Sequence, residues 1–315
     1  MPHSRLSGTA KGHLLALLTV LFWGTTFISS TVLLRSFSPV EILFFRMALA
    51  IAALLIARPR RIVLKERRHE WLFAGAGLCG VTLYFLLENL ALTYTYSANA
   101  SVIVSTAPFF VAIASRLFLK EERLSRWFFA GFAVAMAGIV LVAFSGQQLH
   151  LNPLGDLLCV LAAISWACYS VFIRRIDQLG YDTLLTTRHV FAYGLLFLLP
   201  VMAIFGFAPP LDKLLQPVNL LNLLFLGLGA SALCFVLWNT AVRELGPVRT
   251  SAYIYLSPAI TIVASWLLLG DPIQPMAILG AVLTLVGLVL SQRTGTRETR
   301  GTRGTPGGGF SKRNP

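Results

Sequence analysis

Charge is scarce in this chain: Asp, Glu, Lys and Arg make up only 12% of its 315 residues, against roughly a quarter in soluble domains. A soluble core of this size is a poor fit. Cysteine is scarce too. Cys79, Cys159, Cys168 and Cys234 all fall in apolar stretches without metal-ligand spacing, and read as small packing residues. The few histidines form no zinc pattern, and His189 alone lies clearly within an apolar segment. No two acids pair inside an apolar segment, so the signatures of an intramembrane enzyme are missing. The glycine run at 307–309 has no strand–helix setting and is not a phosphate loop. No cofactor and no metal are expected.

What the chain has in abundance is apolar residues, at 56% with a mean hydropathy of +0.74. They form ten segments, at approximately 13–34, 39–57, 71–93, 97–118, 127–145, 154–173, 183–206, 219–241, 248–269 and 275–291. Each approaches the ~17–25 residues of a transmembrane helix. A membrane barrel would show alternating segments of about 10 residues. The first segment lacks a small-residue cleavage site and leads directly into another span, so it reads as a retained helix.

The formal charge of +13 raises the possibility of nucleic acid, which its distribution answers. With the N-terminus inside, the outside loops hold only Arg35 and Lys213, and Arg46, Arg116 and Arg188 lie within spans. The remaining Lys and Arg all fall inside. This positive-inside bias puts both termini in the cytoplasm of a bacterial cell membrane. It implies contact with anionic lipid on that face and no nucleic-acid partner.

A long stretch, 77–141, is written again about 150 positions later. Asn89-x-Ala91 recurs as Asn239-x-Ala241. Ser101, Pro108, Ala114, Ser115 and Leu119 recur as Ser251, Pro258, Ala264, Ser265 and Leu269. After a one-residue slip, Gly131, Gly138 and Leu141 recur as Gly280, Gly287 and Leu290. Trp23 matches Trp166, and Phe45-Arg46 matches Thr187-Arg188. The expected organisation is a cytoplasmic N-terminus (1–12), a first five-helix repeat (13–145), a second (154–291) and a disordered basic tail (292–315). Five is odd, so the second repeat enters the membrane the opposite way round, as in transporters that work by alternating access.

Two five-helix halves, Trp23-Gly24, and Pro108 followed by Leu119-x-x-Glu122-Arg123-Leu124 together resemble the drug/metabolite transporter superfamily, its ten-helix EamA-type permeases most of all. The second half departs in having Asp271 where that family often has Glu, and Ala167 opposite Gly24. The resemblance covers about residues 12–292. It implies an all-α membrane protein of ten transmembrane helices in two inverted five-helix repeats. It also implies a secondary transporter, an exporter of small organic metabolites such as amino acids or related compounds, with protons as coupling ion. A channel-like facilitator and an intramembrane enzyme are the alternatives.

Charges in an apolar zone cost ~2.5–3.5 kcal/mol each on insertion scales and so face a cavity or a partner. Arg46 lies ~10 Å deep from the outer end of helix 2 and Glu88 ~7 Å deep in helix 3, at 1.5 Å per residue. These depths allow an ion pair in an outer gate. Arg188, the repeat partner of Arg46, is expected to meet an anionic substrate group from inside. Glu88, whose repeat partner is Trp238, is the leading proton-coupling candidate, since burial disfavours a charged carboxylate and a nearby arginine favours it. His189 is a second candidate proton carrier, with a packed neutral role as the alternative.

One face of helix 1 carries Thr19, Trp23, Thr26 and Ser30. Helix 6 places Trp166 and Tyr169 equivalently, helix 4 shows Ser101 and Ser105, and helix 9 shows Ser251 and Tyr255. Packing through small residues is the competing reading of the serines. The tryptophans lie away from interfacial belts; with Tyr84 and Tyr255 they offer π-faces to an aromatic, apolar or cationic substrate. Pro108 and Pro258 each remove a backbone donor in mid-span and are candidate hinges.

Overall fold

The computed structural model describes residues 8–95, 97–120, 125–144, 152–269 and 275–291. The basic tail, residues 1–7, the Glu122-Arg123-Leu124 motif, Asp271 and most of the polar joint at 146–153 lie outside these. Every regular element among the described residues is helical. Among the described residues, seven helices are long and apolar enough to cross a membrane. They are α1 (Gly8–Leu33), α2 (Pro39–Ala57), α3 (Arg67–Tyr94), α4 (Ala100–Phe118), α6 (Pro153–Gln178), α7 (Thr183–Phe205) and α8 (Pro217–Leu245). The other apolar segments form the shorter or interrupted α5 (Arg126–Phe144), α9 (Ser257–Leu269) and α10 (Pro275–Ser291).

The boundaries follow from local chemistry. Ser38 caps α2 in a capping box: its Oγ accepts from Glu41 N at 3.3 Å, and its own N–H donates to Glu41 Oε2 at 2.8 Å. Pro39 fills the first turn, where no backbone donor is needed. Asn152 and Asp182 cap α6 and α7 through their Oδ1 atoms, at 3.0–3.1 Å from backbone N–H groups. Gly246, at φ +83°, ends α8 in a conformation that L side chains resist, and Pro247 restarts the chain.

Short connections make successive helices antiparallel, which gives the bundle two ends. The basic end gathers the 58–66 loop and the α6–α7 turn. Here Arg58 Nη1 meets Asp182 Oδ2 at 3.2 Å, and the Tyr181 hydroxyl lies 2.8 Å from both Lys65 N and His69 Nδ1. The far end gathers the loops after α1, α3 and α7, where Ala208 N donates to Glu41 Oε1 at 3.3 Å.

Several spans are irregular, and the irregularities recur at the spacing of the sequence repeat. Leu78–Leu83 in α3 and Phe225–Leu233 in α8 are π-helical. These wide turns release carbonyls that partner helices take up: Ser165 Oγ donates to Cys79 O at 2.8 Å, and Trp23 Nε1 donates to Ala230 O at 3.0 Å. In α4 the chain turns at Ser105–Thr106, between Ser97–Val104 and Ala107–Phe118. Its repeat counterpart before α9 is a 3₁₀ segment, Ala252–Leu256. Both prolines therefore follow a break instead of making one in mid-span: Pro108 occupies the first turn of the second piece of α4, and Pro258 the same place in α9.

Helices α5 and α10 approach closely because glycines meet backbone. A Cβ on Gly138 would lie 2.5 Å from Gly280 O and 2.7 Å from Thr284 N. Gly138→Val is expected to destabilise the purified protein by about 1–3 kcal/mol through overpacking, seen as a lower unfolding temperature in detergent. An unchanged temperature would contradict this packing.

Candidate functional site

Between the middle of the bundle and its far end lies a cavity with about 560 Å³ of empty space, its open mouth included. Its aromatic walls come from α1, α3, α6 and α8. Trp23 sits edge-on to Trp166, with ring centroids 5.3 Å apart, and packs on Phe235 at 5.6 Å and Trp238 at 4.9 Å. Tyr84 lies 5.1 Å from Trp166. Polar lining is sparse: Thr26, Ser101, Ser105 and Ser257. Two of those hydroxyls are turned back onto their own helices, Thr26 to Trp23 O at 2.7 Å and Ser105 to Ser101 O at 2.6 Å.

Arg46 and Glu88 are the charged residues of this wall. Arg46 is among the largest fully buried side chains, 2% exposed. Its Nε donates to Ser231 Oγ at 3.0 Å and its guanidinium lies 3.8 Å from the Phe85 ring centre. Glu88 is 6% exposed. Among the described residues its carboxylate has neither a hydrogen-bond donor nor an ion-pair partner. The expected Arg46–Glu88 ion pair does not form. Phe85 and Ser231 hold the guanidinium instead.

Toward the basic end the cavity is closed by packed side chains. Tyr169, expected in the lining, belongs to this plug: its hydroxyl donates to Asn239 Oδ1 at 2.8 Å, and Asn239 Nδ2 donates to Thr187 Oγ1 at 3.1 Å. Tyr255 is also fully buried away from the cavity, its hydroxyl without a partner among the described residues. Asn89, the repeat counterpart of Asn239, is fully buried with neither amide atom bonded to a described residue.

Arg188 and His189 lie elsewhere. Arg188 does not face the cavity: Nη1 donates to Arg58 O at 2.6 Å and Nη2 to Arg60 O, which ties α7 to the basic loop. His189 Nε2 is 2.8 Å from Glu70 Oε1, which also accepts from the Tyr193 hydroxyl. This small network joins α3 to α7 near the basic end.

Some lining residues escaped the sequence reading, chiefly Phe27, Phe85, Phe235, Ile254 and Ser257. A signal existed for the pairs. Phe85 and Phe235 are the same position of the two copies, as are Val104 and Ile254, and Ala107 and Ser257.

The model of the EamA-like transporter family matches residues 10–144 and again residues 153–292. The chain belongs to that family. It is thereby a member of the drug/metabolite transporter superfamily, a multi-pass membrane transporter and not an enzyme. An uncharacterized transporter of Archaeoglobus fulgidus is 31% identical over 288 residues, covering 90% of this chain and 97% of the relative. A probable terminal-alkyne amino-acid exporter of Streptantibioticus cattleyicolor is 29% identical, covering 92% and 96%. A probable amino-acid metabolite efflux pump of Salmonella typhimurium is 28% identical, covering 89% and 94%. One crystal structure shares this fold with a TM-score of 0.71 at 21% identity, over 92% of this chain and 97% of the other.

Proposed function

We propose that this EamA-type protein is a secondary exporter of small organic metabolites such as amino acids, working by alternating access between two inverted five-helix repeats with both termini cytoplasmic. The observation that carries this reading is how the copies share the cavity. Its middle is lined by repeat pairs: Trp23 with Trp166, Phe85 with Phe235, Val104 with Ile254, and Ala107 with Ser257. Its far side is lined by first-copy residues alone, including Thr26, Glu88 and Ser105. Their counterparts Tyr169, Trp238 and Tyr255 are buried in the plug toward the basic end. An inverted pair that exchanges open and closed sides has this asymmetry in either of its end states.

On this reading the basic end faces the cytoplasm, its arginines and lysines lie against anionic lipid, and the cavity faces outward. The breaks before Pro108 and Pro258 are the places where α4 and α9 change angle. Relatives named as amino-acid exporters support the substrate class. Glu88 is assigned the coupling proton. Counterflow by Glu88→Gln in proteoliposomes under an imposed pH gradient checks that assignment. Loss of the pH dependence is expected, and unchanged pH dependence would remove Glu88 from the role.

A further inference from the structure

We propose that the cavity recognises its substrate as a zwitterion, Glu88 receiving an ammonium group and Arg46 a carboxylate group, with an apolar side chain against Trp23, Trp166 and Phe235. This rests on the transport reading and names the chemistry of the same site. Two buried opposite charges share one apolar cavity without pairing. The carboxylate of Glu88 has no partner among the described residues. Arg46 uses only Nε, toward Ser231, and leaves both Nη groups without a described acceptor. Buried charges left in this way are costly unless something completes them.

The identity of the completing group follows by elimination. A simple anion would satisfy Arg46 and face the bare carboxylate of Glu88. A simple cation would satisfy Glu88 and face the guanidinium. A molecule carrying ammonium and carboxylate on the same carbon satisfies both, and bridges two charges that line one cavity without pairing. The rest of the wall is largely aromatic, with hydroxyls already bonded to their own helices, so it suits an apolar side chain better than a polar one. The Trp and Tyr ring faces favour the ammonium end as well. Apolar α-amino acids fit this description.

The test is direct binding to the purified protein in detergent with three matched probes: leucine, 3-methylbutylamine (leucine without its carboxylate) and 4-methylpentanoate (leucine without its amine). Leucine should bind tighter than either truncated probe by about 10- to 100-fold, the scale on which a buried polar group left unpaired discriminates. Glu88→Gln should weaken leucine by at least about 10-fold and improve 4-methylpentanoate relative to it. Arg46→Gln should favour 3-methylbutylamine in the same way. Arg46→Lys, which keeps the charge, separates lost recognition from lost folding, with a monodisperse elution profile required of every variant. Equal binding of the three probes, no binding of any by the wild-type protein, or an unchanged ranking in Glu88→Gln would overturn the proposal. Binding with the expected ranking but no counterflow would overturn the transport reading and leave this site assignment standing.

Discussion

Trp23→Ala should lower the stability of the purified protein by about 3–5 kcal/mol, the usual cost of truncating a large, well-packed aromatic side chain, and should abolish counterflow. Trp23 joins three other rings at the cavity floor, with centroids 4.9–5.6 Å away. Its indole N–H also satisfies the Ala230 carbonyl released by the π-helical turn of α8. Alanine removes the packing and leaves that carbonyl without its donor, which places the loss toward the upper end of that range. Trp23→Phe keeps most of the packing and loses only the donor, so it should fall between alanine and wild type. Thermal unfolding in detergent checks both variants. Equal unfolding temperatures for alanine and wild type would mean that Trp23 does not hold α1 to α6 and α8.

Asn239→Leu should open the basic end. In the closed plug Asn239 links Tyr169 on α6 to Thr187 on α7. Leucine keeps the branching of asparagine at Cγ but, with no polar atom, leaves the buried Tyr169 hydroxyl without its acceptor. The loss, about 1–3 kcal/mol, falls on the far-open state alone and translates into a roughly 5- to 150-fold shift of the equilibrium. The readout is thiol labelling of Ser251→Cys in a background with the four native cysteines replaced by alanine. Ser251 is buried at the basic end and is the repeat counterpart of the cavity-lining Ser101. Its labelling rate should rise by that factor in Asn239→Leu, whereas Ser101→Cys should label readily in both backgrounds. An unchanged rate at position 251 would show that the Tyr169–Asn239–Thr187 bridge holds nothing closed. Asn89, which has no partner among the described residues here, is the group expected to form the equivalent bridge when the far end closes.

How much of this was legible from residues alone depends on what each inference required. Hydropathy and loop charge need only composition along the chain, and they sufficed for an all-helical membrane protein. The EamA resemblance was carried by short motifs, two of which fall outside the described residues, and the family match now rests on both halves. The cavity was partly legible because polar and aromatic residues on one face of a span have few other uses. Trp23, Thr26, Tyr84, Ser101, Ser105 and Trp166 lie around one space with Arg46 and Glu88.

Tyr255 was misplaced because face arithmetic assumes regular helix, whereas Ala252–Leu256 is wound as 3₁₀ and shifts the phase of its side chains. Tyr169 was misplaced for another reason: its hydroxyl has a better partner in Asn239 than anything the cavity offers. Depth along a helix predicted that Arg46 and Glu88 sit at compatible levels. Ser231 and Phe85, which hold the guanidinium instead, decided that they do not pair. Arg188 shows the limit of repeat reasoning. Its sequence position copies that of Arg46, but its surroundings are set by carbonyls of the 58–60 loop.

The central claim is that this protein carries a small amino compound across the membrane by exposing one cavity to each side in turn. Counterflow by the purified protein in proteoliposomes tests it most directly: vesicles loaded with unlabelled leucine are diluted into a trace of labelled leucine, without any ion gradient. The account predicts a saturable, transient accumulation of label above equilibrium that Asn239→Leu alters in rate. Flux that rises linearly with concentration and shows no overshoot, or no flux at all with leucine bound, would contradict it.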